Sequence, residues 1–233
     1  MGYVIPIWQI PALPVQGGGE QFPVRRIYCV GRNYAAHARE MGGDPDREPP
    51  FFFAKPADAI VVCADPSKPS KVPYPPATKN YHHEMELVVA IGKSGADIPL
   101  ATALDHVWGY AAGLDMTRRD IQAAMRDKGR PWDMGKGFDH SAPCSPLAPA
   151  AKIGHPGKGR IELKVNGQTR QKADLGDLIW NVSETIVYLS GLVRLEPGDL
   201  IYTGTPEGVA AVVKGDTLEG EIEGVGKFAC VIV

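Results

Sequence analysis

Residues 82–91 read HHEMELVVAI, and this stretch decides the fold class. Its second half, residues 86–91, is a mostly apolar run that stops at Gly92, which is typical of a buried β-strand. Side chains alternate between the two faces of a strand, so Glu84 and Glu86 are expected to project from the same face. The stretch therefore predicts a buried strand that carries two neighbouring carboxylates.

Similar short strands are predicted along the rest of the chain. The 27 glycines and 21 prolines are spread between apolar runs as turns rather than gathered in one linker. Asn166-Gly167 follows an alternating run and predicts a two-residue hairpin. The predicted strands cover residues 26–30, 86–91, 108–114, 161–165 and 200–202, with two more within 217–233.

Two helices interrupt these strands. Residues 117–120 (TRRD) resemble a capping box in which Thr117 is the cap, and Gly129 is expected to end that helix. Ser183 is predicted to cap the second helix. Residues 1–25 are expected to form a loose N-terminal arm, with ordered structure beginning at Arg26. Strands dominate, so the sequence predicts a mixed, mainly β fold.

Composition excludes several classes of protein. The chain has 233 residues, 44% of them hydrophobic and 22% charged, which is close to the globular average. A net charge of −2 without a dense basic stretch argues against a nucleic-acid partner. No apolar run reaches the roughly 18 residues of a membrane span. The four scattered cysteines contain no CxxC pair, which indicates thiols in a reducing compartment and predicts a cytoplasmic location: Cys29, Cys63, Cys144 and Cys230.

The two carboxylates of the first stretch are candidate metal ligands. Neighbouring carboxylates repel each other, and burial would desolvate them as well, so a divalent cation would stabilise both. Asp115, at the end of another apolar strand, is a natural third oxygen ligand, and no other countercharge is obvious in the sequence. Oxygen ligands favour Mg²⁺ or Mn²⁺ over zinc. His82 and His83 could be ligands or partners of neighbouring groups, and an edge strand with solvated acids is the alternative.

Other polar residues are candidates for substrate chemistry. His37 and Glu40 would lie one helical turn apart, where a carboxylate can orient an imidazole that activates water, although a surface ion pair has the same spacing. Residues 202–209 (YTGTPEGV) could cradle a carboxylate or form an ordinary turn. Lys55 and Lys136 could meet an anionic substrate or simply be solvated. Serine-hydrolase, nucleotide-binding and zinc-protease motifs are missing from the sequence.

Seven segments together resemble the fumarylacetoacetate hydrolase family, and the resemblance runs from about residue 26 to 233. It is closest to the short, single-domain branch that includes acylpyruvases, oxaloacetate decarboxylases and fumarylpyruvate hydrolases. In chain order the segments are VGRNYAAHAREM, FFFAKP, HHEMELVVAIGK, GYAAGLDMTRRDIQ, GKGFDHSAP, VNGQTRQ and LEPGDLIYTGTPEGV.

The resemblance implies an α+β, mainly β fold, a mixed β-sandwich roll of the C-terminal-domain type, and a homodimer. It implies a catalytic domain over residues 26–233 that binds Mg²⁺ or Mn²⁺ and a small 2-oxo acid. The implied site residues are the metal ligands Glu84, Glu86 and Asp115, the water-activating pair His37 and Glu40, the catalytic Lys136, and the substrate-binding Arg32, Lys55, Gln122 and Thr205.

One departure from the family pattern bears on the substrate. Arg118 stands where many relatives carry a small residue, and an extra cation would suit a substrate with a second carboxylate. Cleavage of fumarylpyruvate to fumarate and pyruvate, a step of aromatic-compound catabolism, is therefore the expected activity. The alternatives are oxaloacetate decarboxylation, hydratase or isomerase activity on 2-oxo-dienoic acids, and non-catalytic binding of a metal or metabolite.

Overall fold

A computed structural model describes residues 2–35 and 48–233 of the chain. The fold is mostly β with a curled half-barrel sheet, which confirms the predicted fold class. The main sheet has eight strands in the order β4-β3-β15-β8-β9-β11-β5, with β12 paired to β9. These strands are β3 (Arg26–Gly31), β4 (Phe51–Lys55), β5 (Ile60–Val62), β8 (Met85–Ile91), β9 (Val107–Leu114), β11 (Ala142–Cys144), β12 (Ala148–Pro149) and β15 (Asp199–Tyr202).

A second sheet of five strands packs against the first in the order β14-β13-β16-β17-β6. Its strands are β6 (Ser70–Val72), β13 (Arg160–Val165), β14 (Gln168–Asp174), β16 (Thr217–Ile222) and β17 (Gly226–Ile232). The predicted hairpin joins β13 to β14, where Asn166 and Gly167 both adopt positive φ, 51° and 75°. Two two-stranded ribbons complete the strands: β1 (Ala12–Pro14) with β2 (Gln21–Pro23), and β7 (Tyr81–His82) with β10 (Thr117–Arg118).

Helices are short and lie between strands. The α-helices of the described residues are α1 (Arg119–Arg126), α2 (Asp133–Lys136), α3 (Ala150–Ile153) and α4 (Val182–Leu192). Turns of 3₁₀-helix occur at Ala57–Ala59, Leu100–His106 and Leu175–Asp177. None of the described helices is long and apolar enough to cross a membrane.

Both predicted caps are wrong, although both helices exist. Thr117 belongs to β10, where it pairs with His82, and its hydroxyl donates to Asp115 O at 3.1 Å, so it cannot cap α1. Helix α4 is capped two residues earlier than expected, by Asn181. The Asn181 side chain accepts from Glu184 N at 3.0 Å, and the Glu184 carboxylate accepts from Asn181 N at 3.1 Å. This reciprocal pair is a capping box.

The N-terminal region is ordered well before Arg26, contrary to the expected loose arm. Leu13 and Phe22 of the β1–β2 ribbon are buried in a core cluster with Val88 and Leu200. This cluster lies on one face of the main sheet, and the larger cluster, which includes Leu87, fills the space toward the five-stranded sheet. Because β8 contributes to both clusters, all seven of its residues are buried.

Candidate active site

Strands β8 and β9 bring the three predicted carboxylates together. Glu84 immediately precedes β8, Glu86 lies within it, and Asp115 directly follows β9, whose last residue Leu114 pairs with Met85. The Asp115 amide donates to Glu84 O at 2.9 Å, which extends the ladder to the site. One carboxylate oxygen from each acid lies within 4.8 Å of the other two, and all three residues are buried. The carboxylates therefore converge as the strand pattern predicts.

Three buried cations surround these acids, so the expectation that they lack another countercharge is wrong. Lys136 Nζ lies 2.6 Å from Glu84 Oε2 and 2.7 Å from Asp115 Oδ2. Lys55 Nζ lies 2.8 Å from Asp115 Oδ1, and Arg119 pairs with the other oxygen of Glu84. Lys136 stands 21 residues from Asp115 and 52 residues from Glu84 along the chain, and local sequence does not reveal such distant partners.

The Glu86 carboxylate is strongly perturbed by its burial. Burial, together with the nearby Asp115 and Glu84, raises the pKa of Glu86 well above its usual value. The amide of Gly204 donates to Glu86 Oε2 at 2.7 Å and opposes that rise. Burial alone would lower the pKa of Lys136, but the attraction of Asp115 and Glu84 outweighs it and raises that pKa. The site thus concentrates carboxylates whose mutual repulsion the protein only partly offsets.

The donor set fits a hard divalent cation. Asp115 Oδ1 is buried and receives no hydrogen bond from the described residues, although Lys55 Nζ forms an ion pair with it. A cation beside Glu84, Glu86 and Asp115 would also relieve the repulsion that raises the pKa of Glu86. All three ligands are carboxylates, which are ligands of Mg²⁺ and Mn²⁺. The triad can therefore hold a divalent metal ion.

A cavity of about 380 Å³ opens over the carboxylates. Its polar lining includes Glu84 and Glu86 and four residues predicted to act on substrate: Arg32, Gln122, Lys136 and Thr205. Asp115 is fully buried behind the Lys136 ammonium and does not line the cavity. The remaining lining residues are Val30, Gly31, Phe51, Phe53, His82, Arg119, Ala123, Arg126, Trp132 and Val209.

Two predicted substrate-binding residues lie outside the cavity lining. The Lys55 ammonium is turned inward, where it also donates to Met116 O at 3.1 Å. The Arg118 guanidinium lies over the Phe138 ring, 4.3 Å from its centroid, and donates to Met134 O at 3.3 Å. Contact of either residue with substrate stays a prediction, and the described structure gives both of them other partners.

His37 and Glu40 fall outside the described residues, so their predicted pairing stays a prediction. In the described segment that precedes them, the fully buried Asn33 anchors the backbone through side-chain hydrogen bonds. Its side chain donates to Thr203 O at 2.7 Å and Trp180 O at 2.9 Å and accepts from Trp180 N at 2.7 Å. Arg32 adopts a left-handed backbone, φ 56°, next to this clamp. The cavity wall around Arg32 is therefore fixed to the β15 end of the sheet.

The two histidines of the first stretch are partners of neighbouring side chains in the described structure. His83 Nδ1 lies 3.0 Å from Gln171 Oε1, and burial lowers the pKa of His83. His82 Nε2 lies 2.7 Å from Asn80 Oδ1, and burial together with Arg119 lowers the pKa of His82 to about 4. A neutral imidazole is therefore the stable form of His82 near neutral pH.

Sequence reasoning missed three residues of the site. Gln171 accepts from Met85 N at 2.9 Å and donates to Thr205 Oγ1 at 2.8 Å, so it fixes the Thr205 loop to the start of β8. Arg119 and Arg126 share one face of α1 with the predicted Gln122, at spacings of three, four and seven residues. That helical spacing could have revealed both arginines. Gln171 ends the family-like segment VNGQTRQ, but no local pattern shows that its side chain reaches Met85 and Thr205.

The chain matches known proteins along most of its length. The model of the fumarylacetoacetate (FAA) hydrolase C-terminal family matches residues 26–233. A fumarylpyruvate hydrolase from Ralstonia sp. is 48% identical over 194 residues, 82% of this chain and 98% of that protein. A mitochondrial oxaloacetate tautomerase from Homo sapiens is 43% identical over 200 residues, 86% of this chain and 88% of that protein.

A solved structure extends the similarity to the whole fold. The crystal structure of fumarylpyruvate hydrolase from Pseudomonas aeruginosa in complex with Mn²⁺ and pyruvate has a TM-score of 0.97 and 56% sequence identity, and the match covers 100% of this chain and 99% of that one. The family model, the sequence relatives and this structure agree. The chain therefore belongs to the fumarylacetoacetate hydrolase family, whose C-terminal domain it matches.

Proposed function

We propose that this protein is a metal-dependent hydrolase that cleaves a carbon–carbon bond of an acylpyruvate, with fumarylpyruvate giving fumarate and pyruvate. The observation that carries the proposal is the buried triad of Glu84, Glu86 and Asp115. Its two glutamates line a cavity that also has cationic side chains in its lining. The Pseudomonas aeruginosa relative, which contains Mn²⁺ and pyruvate, supports it.

The proposed substrate-binding groups converge on the 2-oxo acid end of the substrate. A bound Mg²⁺ or Mn²⁺ would polarise the 2-oxo group and offset negative charge that develops on its oxygen. Arg32, Gln122 and Thr205 hold the adjacent carboxylate, since all three line the cavity near the triad. Arg119 donates to Gln122 Oε1 at 2.5 Å, which fixes the amide group of Gln122 for this contact.

Hydrolysis needs an activated water at the distal carbonyl. In the proposed mechanism Glu40 orients His37, which removes a proton as the water oxygen bonds to C4. The C3–C4 bond then breaks, the acyl part leaves as fumarate, and the electron pair remains on C3 as the enolate of pyruvate. Lys136, whose ammonium is held by Glu84 and Asp115, stabilises this enolate. Protonated His37 returns the proton to C3 and gives pyruvate.

Activity on oxaloacetate is the second candidate function. The human relative named oxaloacetate tautomerase favours it, because oxaloacetate shares the 2-oxo acid head group. Decarboxylation or tautomerisation would use the same metal ligands but no attacking water. Hydratase or isomerase activity on 2-oxo-dienoic acids is a third alternative within the same chemistry.

The deciding experiment is an assay of purified protein with Mg²⁺ against fumarylpyruvate, acetylpyruvate and oxaloacetate. We expect fumarylpyruvate to be consumed with formation of equal amounts of fumarate and pyruvate. Consumption of oxaloacetate alone, or conversion of fumarylpyruvate without release of pyruvate, would replace the hydrolase assignment with one of the alternatives.

Variants of the proposed His37–Glu40 pair test the water step separately. General-base catalysis contributes roughly 10²–10⁴-fold, so His37→Ala and Glu40→Gln should each lower kcat for hydrolysis by about that factor. The double variant should be little worse, because groups that act as a unit are not additive. Oxaloacetate activity should suffer less in all three. Near-normal hydrolysis by His37→Ala would move the general base elsewhere.

We also propose that the protein is a cytoplasmic homodimer. The segment before β1 exposes large apolar side chains that a second subunit could cover: Tyr3, Val4, Ile5, Ile7, Trp8 and Ile10. All four cysteines are buried free thiols, which suits a reducing compartment. Light scattering should give twice the chain mass, and a single-chain mass at micromolar concentration would contradict the dimer.

A further inference from the structure

We propose that Arg126 determines specificity by binding a second carboxylate at the far end of the substrate. The inference rests on the proposed function and adds the residue that selects acylpyruvates ending in a carboxylate. It moves this role from Arg118, to which the departure from the family pattern pointed, to a residue that lines the cavity.

One face of helix α1 lines the cavity along the length of the helix. Arg119, Gln122, Ala123 and Arg126 all line the cavity, which is the spacing of one helical face. Arg119 marks the metal end, since it pairs with Glu84. Seven residues later, at 1.5 Å per residue, Arg126 lies roughly 10 Å further along the helix axis. The same face thus carries one arginine at each end.

An extended substrate is slightly shorter than this separation, and the long arginine side chain can reach across the difference. Fumarylpyruvate has seven carbons with a carboxylate at each end, and six carbon–carbon bonds of about 1.5 Å span roughly 7–8 Å in an extended chain. With its head group at the triad, the distal carboxylate would lie toward the Arg126 end of the cavity. The cavity lining also includes apolar and aromatic side chains, which suit the carbon chain between the two carboxylates: Val30, Phe51, Phe53, Trp132 and Val209.

Charge pairing favours Arg126 over the neighbouring cations. Arg119 and Lys136 already bind the buried carboxylates of the metal end. Arg118 lies over Phe138 and outside the lining. Arg126 pairs with Asp127 at 3.2 Å, with side chains 40% and 66% exposed. Exposed ion pairs are weak, so the Arg126 guanidinium can exchange Asp127 for a substrate carboxylate.

The test compares two substrates that differ at the distal end. Arg126→Gln should lower kcat/KM for fumarylpyruvate by about tenfold, mainly through KM, because a charge-assisted hydrogen bond is lost. Acetylpyruvate, which ends in a methyl group, should be affected less than twofold. Arg126→Lys should recover part of the loss. Lys128→Gln is the matched control, since it removes the same charge two residues away from an exposed position outside the cavity lining.

The outcomes separate this inference from the proposed function. Equal losses on both substrates in Arg126→Gln would overturn the inference while the hydrolase assignment stands. A fumarylpyruvate-selective loss in Arg118→Gln and not in Arg126→Gln would return the role to Arg118. Failure of the wild-type protein to cleave either substrate would overturn the proposed function and, with it, the inference.

Discussion

The two large sheets handle charge in opposite ways. In the five-stranded sheet, strand β16 alternates buried Leu218 and Ile222 with exposed Glu219 and Glu221, so each carboxylate stays in water. In the eight-stranded sheet, β8 is buried along its whole length, and Glu86 is buried with it. The five-stranded sheet exposes the carboxylates of β16 to solvent, whereas the eight-stranded sheet buries the carboxylate of β8.

This difference indicates which carboxylates serve function. A solvated glutamate needs no partner, whereas a buried one is costly unless cations and hydrogen bonds compensate it. Glu84 and Asp115 both form ion pairs with Lys136, and Asp115 also forms one with Lys55. Folding alone would be served as well or better by apolar side chains at these positions. The enclosed charges are therefore expected to be essential for chemistry, and the exposed ones dispensable.

Metal removal should give the largest effect. Chelation and dialysis are expected to abolish turnover of fumarylpyruvate, because the triad then has no cation to polarise the substrate. Adding Mg²⁺ or Mn²⁺ should restore it, as measured by steady-state release of pyruvate. Full turnover by metal-free protein would show that the triad is a structural ion-pair cluster. The buried carboxylates would then not be required for catalysis.

The next largest effect should come from removing an enclosed cation. Lys136→Met leaves Glu84 and Asp115 without their shared ammonium group, and breaking a buried pair lowers the free energy of unfolding by about 3–5 kcal/mol. Lys164→Met, at an exposed position of β13, should change it by less than about 0.5 kcal/mol. Urea unfolding followed by circular dichroism, with chelator present, measures both. Equal changes in the free energy of unfolding of the two variants would show that the buried lysine matters no more for stability than the exposed one.

A smaller effect is expected from removing one ligand charge. Asp115→Asn should weaken Mg²⁺ binding by more than about tenfold, since ligand charge sets the affinity for hard cations. Titration calorimetry gives the affinity directly, and Glu219→Gln serves as the matched loss of an exposed carboxylate. Unchanged affinity in Asp115→Asn would take Asp115 out of the ligand set.

The smallest effect is expected from removing an exposed carboxylate of the five-stranded sheet. Glu219 lies opposite Lys164 on neighbouring strands, and such an exposed pair contributes little. Glu219→Gln should change the free energy of unfolding by less than about 0.5 kcal/mol and leave turnover unchanged. A loss above about 2 kcal/mol would show that the five-stranded sheet also depends on its charges.

Local patterns predicted much of the fold. The apolar run of β8, the Asn166-Gly167 hairpin and the strand after Pro197 all follow from residues that are neighbours in sequence. The pairing of β3 with β15 joins residues 173 apart, and no local pattern specifies it. Order in the β1–β2 ribbon escaped prediction for the same reason, because Leu13 is stabilised by distant Val88 and Leu200 rather than by its own neighbours.

The site was predictable in its ligands but less so in their environment. Glu84, Glu86 and Asp115 stand at strand ends, where alternation and apolar runs reveal them. Their cations come from other elements, and a sequence pattern cannot show that Lys55 faces Asp115 rather than solvent. The same limit applies to Arg118 and Arg126: only the path of α1 decides which of the two arginines lines the cavity.

The late position of β15 in the chain also has a consequence for synthesis on the ribosome. β8 lies between β9 and β15, and Glu86 receives its hydrogen bond from Gly204, just beyond β15. Until residues 199–204 leave the exit tunnel, β8 is an open, mostly apolar edge with a partner on one side only, a state prone to aggregation. The nascent chain should therefore depend on chaperones until late in translation, and its metal centre should close only when the strand that completes the sheet arrives.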